Sequence, residues 1–322
     1  MKKTLLVILL IISFILAGSV SAIGEEDFFE LVKTGTPDEV KKAIDAGADV
    51  NAQTTKEIEG FREVEGVTPL IMAARYNQNP EVIKVLLGAG ANVNTRDANG
   101  FTPLMHAAEN NQNPEVIKVL IDAGTDVNVQ TEDGVTPLMR AVILNQNPEV
   151  IKVLLEAGAD LNVRGKHGLT PLMWAAGGNQ NPEVIKLLLD AGADVNVQNK
   201  DSMTPLMFAA QCNQNPEIIR ILVDAGTDIN ARSKNGMIPL MYAAKDNQNP
   251  EVIKALLDAG ADVNARDKDG VTTLMRAAAF NQNPEVIKVL LDAGADVNAR
   301  TTKKIEDFGN AEGVTPLMLA AQ

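Results

Sequence analysis

The chain has 322 residues, with 29 basic against 42 acidic side chains and a formal charge of −13. That balance, with 3% aromatic residues, argues against a nucleic-acid partner, because the chain can neither release many phosphate counterions nor stack many bases. Two histidines and one cysteine leave too few ligands for a His/Cys metal cluster and no partner for an internal disulfide. The composition therefore describes an acidic folded chain, with no cofactor, no metal and no catalysis expected. At about 150 residues per domain its length suggests two domains, a rule that a repeat array breaks.

The first predicted element is a leader. Met1-Lys2-Lys3 is a short positive start, Leu5 to Leu16 is an apolar run broken only by Ser13, and Val20-Ser21-Ala22 supplies small residues at a cleavage site. This is the layout of a secretory signal peptide over residues 1–22, with cleavage expected after Ala22 and a secreted or periplasmic destination. The alternative is an uncleaved anchor, which needs about 20 apolar residues, more than this run contains. Ser19 stands where a lipoprotein would carry its lipidated cysteine, so no lipid anchor is expected. Loss of Lys2 and Lys3 takes the formal charge from −13 to −15. Cys212 is the single thiol and is expected to be inert or to form an accidental link between chains.

Residues 25–59 come next and read as an N-terminal cap repeat. Phe28, Phe29 and Leu31 offer one apolar set, while Glu25, Glu26, Asp27, Lys33, Lys41 and Lys42 keep the other side polar.

A repeat then sets in. A proline within Thr/Ile-Pro-Leu recurs every 34 residues at Pro69, Pro103, Pro137, Pro171, Pro205 and Pro239, and Thr273 holds the next place. A second proline keeps step from Pro80 to Pro284, each time after Asn-Gln-Asn. Seven full repeats are expected over about 66–299. In one unit, Thr68 suits an N-cap and Pro69 the first helical position, so a short helix follows. Asn77 is expected to end it in the left-handed conformation that asparagine tolerates. Asn79-Pro80-Glu81 starts a second helix, Val82, Ile83, Val85, Leu86 and Leu87 give it a broad apolar stripe, and Gly90 stops it. Helices of about ten residues are not stable alone, so each unit must cover its neighbour.

The string Gly-x-Thr-Pro-Leu…Ala-Ala…Glu-Val-Ile-Lys-Val-Leu-Leu-Asp-Ala-Gly-Ala-Asp-Val-Asn resembles the ankyrin repeat, over residues 25–322. The resemblance implies an all-α repeat solenoid: helix–turn–helix units joined by β-hairpin turns and stacked into a curved array that binds other proteins. Two departures stand out. The family's histidine after Thr-Pro-Leu is here Ile71, Met105, Met139, Met173, Met207, Met241, Met275 and Met318, so methionine packing is expected in place of its hydrogen bonds. The Asn-Gln-Asn-Pro joint is one residue longer than the family's usual turn.

Two hairpins, 53–64 and 300–311, are nine residues longer than the rest and near copies of one another. They are expected to be either projecting binding loops or tolerated insertions. Residues 300–322 add a long hairpin and half a repeat, and the stop at Gln322 is expected to mean either a fragment or a half-repeat that serves as a makeshift cap.

No catalytic grouping is expected. His106 and Cys212 lie three repeats apart, about 30 Å at a 10 Å step, and His167 sits at a hairpin tip, so a Cys–His dyad is not expected. Asp267-Lys268-Asp269-Gly270 faintly resembles a calcium loop, but Arg276 stands near the place of the required Glu.

The informative positions are those that vary inside the fixed frame. Two residues past the proline-following Leu the chain reads Met72, His106, Arg140, Trp174, Phe208, Tyr242, Arg276 and Leu319. Three and four residues further on come Ile143/Leu144, Gly177/Gly178, Gln211/Cys212, Lys245/Asp246 and Ala279/Phe280. This i, i+3, i+4 spacing places them on one helix face, which in the ankyrin family lines the concave side. The candidate partner-binding set is Arg140, Ile143, Leu144, Trp174, Phe208, Tyr242, Lys245, Arg276 and Phe280. In it Trp174, Phe208 and Tyr242 form an aromatic row flanked by two arginines, and Gly177 and Gly178 leave a gap beside Trp174. The alternative is that these large residues merely fill half-packed space. The function expected is an exported, monomeric protein-binding scaffold. The alternative is a periplasmic enzyme, or an accessory or inhibitor of one.

Overall fold

The computed structural model describes residues 24–54, 65–305, 308 and 311–321. The leader 1–22 and most of the first long hairpin lie outside them. Contacts divide the chain into two compact units, Met1–Pro103 with Lys118–Thr125, and Leu104–Ile117 with Asp126–Gln322.

Among the described residues there are 17 α-helices and no strand. In chain order they are α1 (Glu25–Thr34), α2 (Pro37–Asp45), α3 (Pro69–Tyr76), α4 (Pro80–Gly88), α5 (Pro103–Asn110), α6 (Pro114–Asp122), α7 (Pro137–Leu144), α8 (Pro148–Glu156) and α9 (Pro171–Gly178). They continue with α10 (Pro182–Asp190), α11 (Pro205–Cys212), α12 (Pro216–Asp224), α13 (Pro239–Asp246), α14 (Pro250–Asp258), α15 (Thr273–Phe280), α16 (Pro284–Asp292) and α17 (Pro316–Ala320). In the first unit α1 packs on α3, and α2 on α4. In the second unit first helices stack on first helices, from α7 through α9, α11, α13 and α15 to α17, and second helices do the same from α8 to α16. The all-α repeat stack expected from the sequence is what forms.

The capping residues act as their chemistry dictates. The hydroxyls of Thr136 and Thr204 accept from Met139 N and Met207 N at 3.3 and 3.4 Å. Asn215 Oδ1 accepts from Glu217 N at 3.0 Å, and Pro216 takes the first helical position. Ile238 replaces the threonine before α13, and that helix has no side-chain cap. Gly90 follows α4 with φ +90°, a conformation that a Cβ would strain. The second-helix stripe is narrower than the sequence suggests: Val82, Ile83 and Leu86 are buried, while Val85 and Leu87 are half-buried. Met105, Met139, Met173, Met207, Met241 and Met275, with Ile71, are buried in the stack, and Met318 is exposed.

The asparagine that ends each first helix does something the sequence reading did not foresee. Asn77, Asn145 and Asn213 are extended, with φ −81°, −77° and −85° and ψ 121–131°, not left-handed. Their value lies in the side chain. Asn213 is fully buried. Its Nδ2 donates to Ala176 O (2.9 Å) and Asn179 O (2.7 Å) of the preceding repeat, and its Oδ1 accepts from Asn215 N (2.9 Å). Asn145, Asn179, Asn247 and Asn281 repeat the pattern at 2.8–3.2 Å, so each asparagine carbonyl receives the next asparagine's amide. In the first unit Asn77 reaches Val32 O and Gly35 O in the same way. A second row runs along the far end of the second unit: Asn128 donates to Gly158 O and accepts from Asp160 N, as do Asn196, Asn230 and Asn264 with their own next repeats.

The hairpins are turns closed by a pair of backbone bonds, such as Ser233 N to Met237 O at 3.0 Å and Gly236 N to Ser233 O at 2.8 Å. Antiparallel bridging is confined, among the described residues, to Arg266–Thr272 and Ile305–Ala311. Adjacent tips are tied by Lys166 N to Asp133 O, Lys200 N to His167 O and Lys234 N to Asp201 O. The two long hairpins open alike: Thr54 and Thr301 each accept through the hydroxyl, from Val67 N and Val314 N at 3.1 and 3.0 Å. The second does not project as a free loop where it is described. Ile305 and Phe308 fold into a buried cluster with Val271, Met275, Ala299, Val314 and Leu319. At the N-terminal end Phe28, Phe29 and Val32 are buried and Leu31 is half-buried, under an exposed Glu25-Glu26-Asp27.

Asn213→Ala removes two donated bonds and one accepted bond from a buried site, and is expected to cost roughly 2–4 kcal/mol. Asn215→Ala, at a partly exposed cap, is expected to cost about 1 kcal/mol. Urea unfolding followed by circular dichroism compares the two; equal losses would mean that the buried amide is dispensable.

Candidate functional site

The varied first-helix positions lie in the second unit on α7, α9, α11, α13 and α15. Helical spacing puts the members of each set on one face, and stacking brings the sets side by side. Leu144 is 52% exposed, Trp174 36% and Phe280 37%. Phe208 and Tyr242 are half-buried, as is Ile143, which backs onto Gly178. The aromatic positions thus adjoin in three successive first helices, but only Trp174 stands well out.

The cations are placed differently from the sequence expectation of two flanking arginines. Arg140 is half-buried and ion-paired to Glu109 of α5. Arg276 is buried: its Nη2 donates to Asp267 Oδ2 at 2.7 Å, and its guanidinium lies 6.0 Å from the Phe308 ring centroid. Arg276 therefore holds the long hairpin and its neighbouring turn instead of standing at the end of the row. Lys245 Nζ lies 5.4 Å from the Phe280 ring centroid and 3.9 Å from Asp246 Oδ1. Asp246 also accepts from Gln211 Nε2 at 2.8 Å. The Phe280 ring meets Phe308 at 6.0 Å between centroids.

Glu109 and Asp246 occupy varied places of this face but stand outside the candidate partner-binding set, as do Asp267 and Phe308. The acids carried a signal, since each stands one repeat or one turn from a basic residue of the set. Phe308 carried none, because nothing in an insertion says which way it folds.

The glycines next to Trp174 are not needed by the backbone. Neither Gly177 nor Gly178 has positive φ, and a Cβ built on them would meet Phe208 Cβ at 3.6 Å and Ile143 Cγ2 at 3.4 Å, ordinary contacts. Each is nevertheless up to about 1 kcal/mol less favourable in a helix than alanine.

Other chemistry is weakly placed. Burial, and then the Asp246 carboxylate, push the Cys212 thiol above its ordinary range, the opposite of an activated nucleophile. Asp267 Oδ1 accepts from Asp269 N and Val271 N while Oδ2 takes Arg276, so this carboxylate is occupied within the protein. Among the described residues no group of three or more His, Cys, Asp or Glu could hold a metal ion, and no helix is long and apolar enough to cross a membrane.

A family model described as ankyrin repeats (3 copies) matches residues 28–131, 110–199, 138–233, 172–267, 206–301 and 240–322. No curated protein matches the chain.

Two outcomes follow from this geometry. Alkylation of Cys212 by iodoacetamide should rise at a higher pH than for a free cysteine, because the neutral thiol is favoured; Asp246→Asn should move the rise to lower pH. Arg276→Leu leaves the Asp267 carboxylate buried without its cation, at a cost of roughly 2–4 kcal/mol measured by urea unfolding.

Proposed function

This chain belongs to the ankyrin-repeat family, and on that premise we propose that it is an exported protein-binding scaffold without catalytic chemistry of its own. Ankyrin repeats generally mediate protein–protein interaction. The partner docks on the concave face, formed by the first helices of the second unit. One observation carries this reading. Leu144 and Trp174 stand exposed on the adjacent first helices α7 and α9, and Phe280 stands exposed three repeats further on at α15, where the buried Leu and Met positions already complete the stack. Aromatic side chains on a rigid, preformed surface contribute large contact area at low entropic cost. The contact set is Arg140, Ile143, Leu144, Trp174, Phe208, Tyr242, Lys245 and Phe280, with Arg276 acting from beneath to set the end of the face.

Export rests on the residue pattern of the leader over 1–22. The chain acts as a monomer.

A partner is to be captured on the mature chain from the exported fraction of the producing cells, and its affinity measured by calorimetry. Trp174→Ala with Tyr242→Ala should weaken that affinity tenfold or more, about 1.4 kcal/mol, with the helical signal kept. A double variant that loses its helical signal would show instead that the row is core, and the contact set would be wrong.

A further inference from the structure

Resting on the scaffold reading, we propose that the edge formed by the hairpin tips of the second unit takes an extended acidic segment of the partner. Three observations lead there. First, the edge is basic on an acidic chain. The tips 164–168, 198–202, 232–236, 266–270 and 300–304 hold ten basic and three acidic side chains, while the whole chain carries −13. The ten are exposed, whereas one of the acids, Asp267, is buried and held by Arg276. Second, the backbone sets the lysines in file. Lys200 N donates to His167 O at 3.1 Å, Lys234 N to Asp201 O at 2.9 Å and Lys268 N to Asn235 O at 3.2 Å, so each tip fixes the next lysine at the same place. Third, neutralisation is withheld at alternate tips. Asp133 pairs with Lys166 at 3.1 Å and Asp201 with Lys234 at 3.7 Å. Between them His167 and Asn235 stand in the place of that acid, and among the described residues Lys200 and Lys268 have no ion-pair partner. Arg232 and Arg266 donate through Nη1 to backbone carbonyls at 2.7–3.0 Å, which holds each guanidinium in place without cancelling its charge.

Charge and spacing select the occupant. A file of cations attracts an anion and repels a basic segment. Stacked helices lie about 10 Å apart, so neighbouring tips offer a cation about every 10 Å. An extended chain rises about 3.3 Å per residue, so a carboxylate at every third residue meets each tip in turn. A nucleic acid carries its charge more densely, would meet the acidic remainder of the chain, and would find little aromatic surface to stack on. The edge therefore matches carboxylates strung along one extended polypeptide segment.

A fluorescein-labelled peptide with glutamate at every third position, and glycine or serine between, is titrated with the mature chain at low salt, beside its lysine counterpart. The glutamate peptide should raise the anisotropy saturably and the lysine peptide should not. A tenfold rise in salt should weaken the binding at least tenfold. Lys200→Glu with Lys268→Glu should cut the affinity at least tenfold without lowering Tm. Lys152→Glu with Lys288→Glu changes the net charge equally, at lysines that face Glu149 and Glu285 on the second helices, and should leave the affinity within threefold. If the tip variant loses helical signal, Lys200→Gln with Lys268→Gln is judged by the same readout. Equal binding of the two peptides, equal losses in the two variants, or tighter binding of a single-stranded DNA of the same charge would overturn the proposal. The captured partner is measured in parallel. Binding lost in Trp174→Ala/Tyr242→Ala but kept in Lys200→Glu/Lys268→Glu would sink the acidic segment alone; binding kept in both would sink the scaffold reading as well.

Discussion

A buried asparagine amide fastens each repeat of the second unit to the repeat before it, and the architecture depends on that contact. Each of its three hydrogen bonds answers a different need. Two satisfy helix-end carbonyls of the preceding repeat, which would otherwise be buried without a donor. The third fixes the turn into the repeat's own second helix. A side chain with donors and an acceptor at its tip is required. Aspartate would face two carbonyls with no proton to give, and threonine has a single one. The longer joint, Asn-Gln-Asn-Pro, is the segment that carries this device: its first asparagine looks back, and its second both caps the next helix and reaches the glutamine carbonyl of the preceding repeat's joint, as Asn215 does with Gln180 O.

Because the amide bonds and the apolar stripes both run to the adjacent repeat, stability in each unit is local and additive. No side chain has to wait for a distant part of the chain. The exposed face can therefore vary residue by residue while the frame beneath it is held constant. That separation is visible between α9 and α11: Leu172 and Leu206, Met173 and Met207, and Asn179 and Asn213 are shared and buried, whereas Gly177 stands where Gln211 does. Function is written on positions from which the fold asks little.

The frame was legible in the sequence because its signals are short-range. Thr-Pro and Asn-Pro announce helix starts within four residues, and Gly90 announces a stop. The misreadings share one cause: their partners lie outside the helix that carries them. Asn77 looked like a conformational residue because its acceptors, Val32 O and Gly35 O, lie outside its own repeat, in the cap. Arg140 looked like a free cation until Glu109 was brought beside it, and Arg276 until Asp267 and Phe308 were. The narrowing of the second-helix stripe to Val82, Ile83 and Leu86 is a matter of neighbour placement, which periodicity alone does not fix.

The asparagine rows also give the array a direction and a common joint. In the second unit the helix-end amides from Asn145 to Asn281 give backward and those of the second row give forward, each row to the same carbonyls in repeat after repeat, so any copy can follow any other. A cassette of 34 residues cut out or spliced in by unequal recombination would leave no donor stranded at either seam. Such an array can change length during evolution without renegotiating its interior, and the paired Thr54 and Thr301 hairpins are what a copied stretch of this kind leaves behind.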